Sequence, residues 1–135
     1  MIVVDTTVWI DFLGGRETPY DLHLKELIQQ GEFIALTDII FCEVLQGIRD
    51  ERLFLKTRKH LLSYPILRLR HLGTFEHAAQ IYRTCRLRGI IIRKTIDCLI
   101  AALCIEEGAE VFHNDKDFDR IAQVTDLRVY LSTEG

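Results

Sequence analysis

The chain has 135 residues with 48% apolar side chains, enough to bury a core and to exclude an intrinsically disordered polymer. Its formal net charge of −3 hides a segregation: residues 1–48 hold two basic and eight acidic side chains (−6), residues 49–94 twelve and three (+9), and residues 95–135 three and nine (−6). Surface charge laid down only for solubility would not sort in this way, whereas an anionic partner held beside a carboxylate cluster calls for both signs.

The N-terminus, Met1-Ile2-Val3-Val4-Asp5, has no basic leader and meets a carboxylate after four residues, which predicts no signal peptide and a cytoplasmic protein. Ile2-Val3-Val4 reads as a first strand, continuously apolar and so buried on both faces. A short helix follows from Thr7 to Phe12, ended by Gly14-Gly15. An amphipathic helix over Asp21–Gln30 places Leu24, Leu27 and Ile28 on one face, with Gly31 just past its end. Phe33–Leu36 is a second strand, and Thr37 or Asp38 caps a helix running to Gly47. A helix over Glu51–Leu62 precedes a third strand at Ile66-Leu67 with Leu69.

Phe75–Leu87 is helical and stops at Gly89; Thr95 caps the next helix, Ile96–Glu107, which Gly108 closes. The longest apolar run, Cys98 to Ile105, is far too short to span a bilayer. Glu110–His113 is a fourth strand, Lys116–Ala122 a short helix and Val129–Leu131 a last strand. Strands joined through helices predict a mainly parallel sheet in a three-layer α/β/α fold. No repeat, low-complexity tract or linker divides the chain, so residues 1–135 are expected to form a single domain. The cysteines at 42, 85, 98 and 104 lack metal-ligand spacing and read as small buried hydrophobes.

Four carboxylates stand where solubility does not ask for them. Asp5 follows an apolar strand directly and Asp115 lies just past the fourth, so both emerge at the carboxyl edge of the sheet, where open α/β folds bind ligands. Each could instead be a helix cap. Glu43 is embedded in an apolar helix start, with Gly47 one turn later offering close approach. Asp97 opens the apolar run Ile96–Cys104, where a favourable charge at the first helical turn is the simpler account of it taken alone. Such accounts explain any one of these acids, but they explain all four together poorly. Carboxylates about 4 Å apart repel by roughly 4 kcal/mol at an effective dielectric near 20, so a converging set needs a cation or raised pKa values. An all-oxygen donor set suits Mg²⁺ or Mn²⁺ rather than Zn²⁺, and such a site can hydrolyse phosphodiesters.

The segments Val4-Asp5-Thr6-Thr7-Val8-Trp9-Ile10, Glu43, Asp97-Cys98-Leu99-Ile100-Ala101-Ala102 and Asn114-Asp115-Lys116-Asp117-Phe118 resemble, in order and spacing, the PIN-domain family of metal-dependent ribonucleases. More narrowly the chain is similar to the VapC-type toxins of toxin–antitoxin pairs. The resemblance implies that Asp5, Glu43, Asp97 and Asp115 form the metal-binding, catalytic quartet and that Thr6 hydrogen-bonds within the site. Asp117 and Asp119 are supporting positions, either holding metal or water from outside the quartet or solvated on their helix, the second being the expectation. Asp11 and Asp38 are assigned to the surface or to capping. His113 stands where many relatives carry Thr and is expected to pack at the strand end. The resemblance further implies an RNA substrate with tRNA leading, cleavage to 5′-phosphate and 3′-hydroxyl ends, a homodimer, and a VapB-like antitoxin that blocks the site.

The basic middle has two parts. Arg49, Arg52, Lys56 and Lys59 draw a stripe along one side of a helix, equally a solvated face or an RNA grip. Arg83, Arg86 and Arg88, then Arg93 and Lys94, lead directly to Asp97 and are expected to contact phosphate, with little base stacking because Tyr82 is the nearest aromatic. Two competing readings stand beside the nuclease. One is a HAD-like phosphatase or phosphotransferase with Asp5 as nucleophile, although Thr7 occupies the place of the second acid that such enzymes want. The other is a non-catalytic RNA-binding module.

Overall fold

In the computed structural model, which describes residues 1–130, the apolar runs without polar alternation become the inner strands of one sheet. The elements in chain order are β1 (Ile2–Val4), α1 (Thr6–Leu13), α2 (Pro19–Gln29), β2 (Ile34–Thr37), α3 (Asp38–Gln46), α4 (Glu51–Leu61), β3 (Ile66–Leu67), α5 (Leu72–Leu87), α6 (Thr95–Glu107), β4 (Glu110–Phe112), α7 (Lys116–Val124) and β5 (Arg128–Val129). The five strands lie in the order β3-β2-β1-β4-β5, and every pairing is parallel. Ile2 sits opposite Ile34 on one side and Glu110 on the other, and Val4 opposite Phe112. Helices cover both faces, which is why Val3, Val4, Ala35, Leu36 and Val111 are fully buried. Helices α1 to α4 pack among themselves, as do α5 to α7, and the arrangement is the expected three-layer α/β/α fold.

The strand order fixes where a site forms. From β1 the chain moves outward to β2 and β3; from β4 it moves the other way to β5. With right-handed crossovers the two sets of connections lie on opposite faces and diverge between the carboxyl ends of β1 and β4. Asp5 leaves β1, and Asp115 follows β4, at that switch point; the Asp5 amide donates to the Phe112 carbonyl at 2.9 Å across it.

Several boundaries differ from those the apolar period predicts, two of them because of local caps. Helix α2 starts at Pro19, because Thr18 caps it and Asp21 reaches back to the Glu17 amide and the Thr18 hydroxyl, both at 3.0 Å. Helix α5 begins at Leu72, ahead of the expected Phe75. Lys94, not Thr95, is the cap position of α6, and no side chain caps it. Strand β2 is Ile34–Thr37, leaving Phe33 59% exposed, and Thr37 then caps α3 by accepting from the Ile40 amide. Gly47 ends α3 rather than interrupting it, and a side chain there would meet nothing nearer than 4.0 Å, so it serves no close approach. The last strand is Arg128–Val129; Leu131 lies outside the described residues. Cys85, Cys98 and Cys104 are buried, with burial pushing the thiols of Cys98 and Cys104 to about 12, whereas Cys42 is exposed, against expectation. Among the described residues no helix is long and apolar enough to cross a membrane.

Candidate metal centre

Three acids converge at the switch point. Asp97, Asp115 and Asp117 each offer a carboxylate oxygen, and these oxygens all lie within 4.8 Å of one another. Asp97 sits in the first turn of α6, 4% exposed, because the apolar run behind it anchors that helix against the sheet. Asp115 caps α7, its Oδ1 accepting from the Asp117 amide at 3.0 Å. Asp5 likewise caps α1: its Oδ2 accepts from the Thr7 amide at 3.3 Å and the Thr7 hydroxyl at 2.9 Å. Capping and cluster membership coincide at Asp115, whereas Asp5, expected as a metal ligand, lies outside the three-acid group. A carboxylate has two oxygens, and the cap uses one of them.

Asp117 corrects the sequence expectation. It is 2% exposed, not solvated; its Oδ1 accepts from Arg120 Nη1 at 2.8 Å and its Oδ2 from the Arg93 amide at 3.4 Å. The pattern held the signal, since Asp117 lies four residues before buried Ile121 and shares its face of α7. Asp119 stays largely solvated but touches His113 Nε2 at 3.1 Å. Asp11, expected at the surface or as a cap, is buried and accepts from Arg16 Nη1 at 3.3 Å. Asp38 accepts from the Leu69 amide at 2.9 Å and so ties the segment after β3 to the start of α3.

Glu43 is outside the three-acid group, beside Asp5, and Thr6 donates to its Oε1 at 2.8 Å. Thr7, which the sequence reading passed over, links the two acid-bearing loops: its hydroxyl accepts from the Asn114 amide at 3.1 Å and donates to Asp5. The electrostatics follow the geometry. Burial raises the Asp5 carboxyl above its ordinary value, opposed by the Thr7 hydrogen bonds and assisted by repulsion from Glu43. Burial, then repulsion from Asp115 and Asp5, lifts Asp97 to about 7, with Lys94 pulling the other way. Asp97 Oδ2 is moreover buried with no hydrogen-bond partner among the described residues.

These residues fit a hard divalent cation. The donors are all oxygen, the local charge is strongly negative, and an orphaned buried carboxylate oxygen needs a partner.

Of the basic candidates, Arg93 and Lys94 flank the acids: Arg93 Nε is 4.0 Å from Asp117 Oδ2, with its side chain 74% exposed. Arg83, Arg86 and Arg88 are exposed on and just after the last turns of α5; Arg86 lies over the Tyr82 ring at 5.8 Å, and among the described residues none of the three pairs with an acid. The α4 stripe is exposed as well.

Residues 2–124 match the family described as PIN domain. The chain is 33% identical over 129 residues to ribonuclease VapC11 of Mycobacterium tuberculosis, covering 95% of this chain and 96% of that one. In fold it is similar to VapBC2 from Rickettsia felis bound to a promoter DNA fragment, with a TM-score of 0.75, 19% identity, and 96% and 98% of the two chains covered. It is also similar to a toxin–antitoxin complex from Klebsiella pneumoniae, with a TM-score of 0.71, 21% identity, and 96% and 100% covered.

Proposed function

The chain belongs to the PIN-domain family and, within it, to the VapC ribonucleases, and from that premise we propose that it is a metal-dependent endoribonuclease toxin neutralised by a VapB-like antitoxin. Mg²⁺ is the proposed cofactor, with Mn²⁺ able to replace it, and structured RNA, tRNA foremost, the proposed substrate. The observation that carries the reading is the convergence of Asp97, Asp115 and Asp117 at the switch point with Asp97 Oδ2 buried and unpaired. When bound, the divalent ion supplies Lewis acidity toward water and the scissile phosphate.

The chain's own groups do the rest. Asp97, Asp115 and Asp117 hold the ion, with Asp5 and Glu43 supplying negative charge at its rim. Thr6 and Thr7 orient Glu43 and Asp5 through the hydrogen bonds described above. Arg93 and Lys94 place positive charge at the mouth of the acids, where a phosphodiester must sit to be attacked, and Arg83, Arg86 and Arg88 continue that surface. Attack by water on phosphorus with the 3′-oxygen as leaving group leaves 5′-phosphate and 3′-hydroxyl ends. The toxin–antitoxin complex of the Klebsiella neighbour supports an antitoxin partner here. A homodimer acting in the cytoplasm completes the proposal.

Purified protein is expected to cut structured RNA with Mg²⁺, to stop with EDTA, to lose about 100-fold or more in rate as Asp97→Asn, which removes a group that holds the metal, and to lose about 10- to 100-fold as Asp5→Asn, which removes charge beside it. Undiminished cleavage by both variants would overturn the assignment.

A further inference from the structure

We propose that His113 is a positioning residue for Asp115, locked by Asp119 in the one tautomer that can accept the Asp115 amide; the inference rests on Asp115 holding the metal as proposed above. His113 leaves the end of β4, buried, with its ring against Phe118 at 5.2 Å between centroids. Its Nδ1 accepts the Asp115 amide at 2.9 Å. A nitrogen that accepts carries no proton, so the ring N–H lies on Nε2, and Nε2 donates to Asp119 Oδ1 at 3.1 Å. Both ring nitrogens are thus used, each in the role that the other's bond dictates.

The consequence is mechanical. The backbone of residue 115 is extended (φ −138°, ψ 122°) between a strand end and a helix start. Its amide is tied to the ring and its side-chain Oδ1 to the Asp117 amide, which leaves Oδ2 the free oxygen of that carboxylate. Asp119, whose side chain is 56% exposed, reaches no other part of the site through a hydrogen bond among the described residues, so its influence on Asp115 passes through the ring. An imidazole held by a carboxylate is a familiar means of orienting a metal ligand, though here the ring acts on a ligand's amide and does not itself ligate.

Packing against Phe118 is the competing role for His113, and paired substitutions separate the two. Asn at 113 places a polar atom where Nδ1 was and can keep the Asp115 contact; Gln places one where Nε2 was and abandons it. Mn²⁺ affinity of the purified full chain, followed by loss of the free-ion electron paramagnetic resonance signal without RNA, is the readout. His113→Gln is expected to weaken Mn²⁺ binding about 10-fold or more and His113→Asn to stay within about threefold of the parent. Asp119→Ala, which removes no packed group, is expected to weaken it about threefold or more, with Asp119→Asn restoring it because an acceptor for Nε2–H remains. In cleavage assays the weakened variants should need correspondingly more Mg²⁺ to reach half-maximal rate, with KM for RNA unmoved. Equal losses for Asn and Gln at 113 overturn the proposal, as does unchanged affinity in both His113→Gln and Asp119→Ala. A parent protein that binds no Mn²⁺ overturns the metal-centre reading along with it, so the two failures are distinct.

Discussion

Asp97 concentrates the physics of the site in one side chain. Its carboxyl, raised to about 7 by burial and by neighbouring acids, prefers its proton in the folded state far more than in the unfolded chain, where its ordinary value is 3.8. The native state then binds more protons between about pH 4 and 7, and stability falls as pH rises through that window, by up to about 1.4 kcal/mol per pH unit from this group. Asp97→Asn removes the penalty. In metal-free buffer its melting temperature should therefore exceed the parent's by a margin that grows from pH 5 to pH 7 and levels above, and Mg²⁺ should narrow the margin by stabilising only the parent. A margin independent of pH would show that Asp97 carries no such strain. Asp97 was legible in the sequence because a lone acid in an apolar run has no solvated neighbours to explain it. Asp117 was not, because Lys116, Asp119 and Arg120 around it look like a solvated helix and only the period to Ile121 betrays its burial.

At the scale of elements, the strands and most helices follow from apolar runs and period, while their ends obey local hydrogen bonds that period does not encode. The Thr18-Pro19 start of α2 and the Thr37 cap of α3 are two such ends, and the second matters for function because α3 carries Glu43. Two glycines that look alike in sequence differ in the same way. Gly108 closes α6 with φ +66°, whereas Gly47 closes α3 with φ −83°, and neither has an atom closer than 4.0 Å to where a Cβ would go. With sterics removed from the comparison, backbone conformation alone decides the sign. Gly108→Ala should cost about 1–2 kcal/mol, and Gly47→Ala should add about 0.4–1 kcal/mol by restricting the unfolded chain. Urea unfolding midpoints measure both, and destabilisation by Gly47→Ala would mean that α3 needs flexibility at its end.

Across the whole molecule, the segregated charge finds its reason in topology. The first acidic block delivers Asp5 and Glu43 to one edge of the sheet, the last delivers Asp97, Asp115 and Asp117 beside them, and the basic block ends at Arg93 and Lys94 against the same acids. That meeting was not legible from block charges, because it depends on β1 and β4 being neighbours although more than a hundred residues separate them in the chain. A polyanion approaching this edge gains from the basic surface and is repelled by the acids until a cation neutralises them. Two terms of opposite sign should therefore be separable by salt. In the Asp97→Asn background, which leaves RNA uncut, each arginine that contacts phosphate contributes about 0.7–0.9 to the slope of log affinity against log salt. Replacing Arg86 and Arg88 with Ala should lower that slope by about 1.5 and weaken binding alike for unrelated structured RNAs, since backbone contacts carry no sequence information. Filter binding from 50 to 300 mM KCl measures it. An unchanged slope would remove the end of α5 from the RNA surface and leave Arg93 and Lys94 as its grip beside the acids.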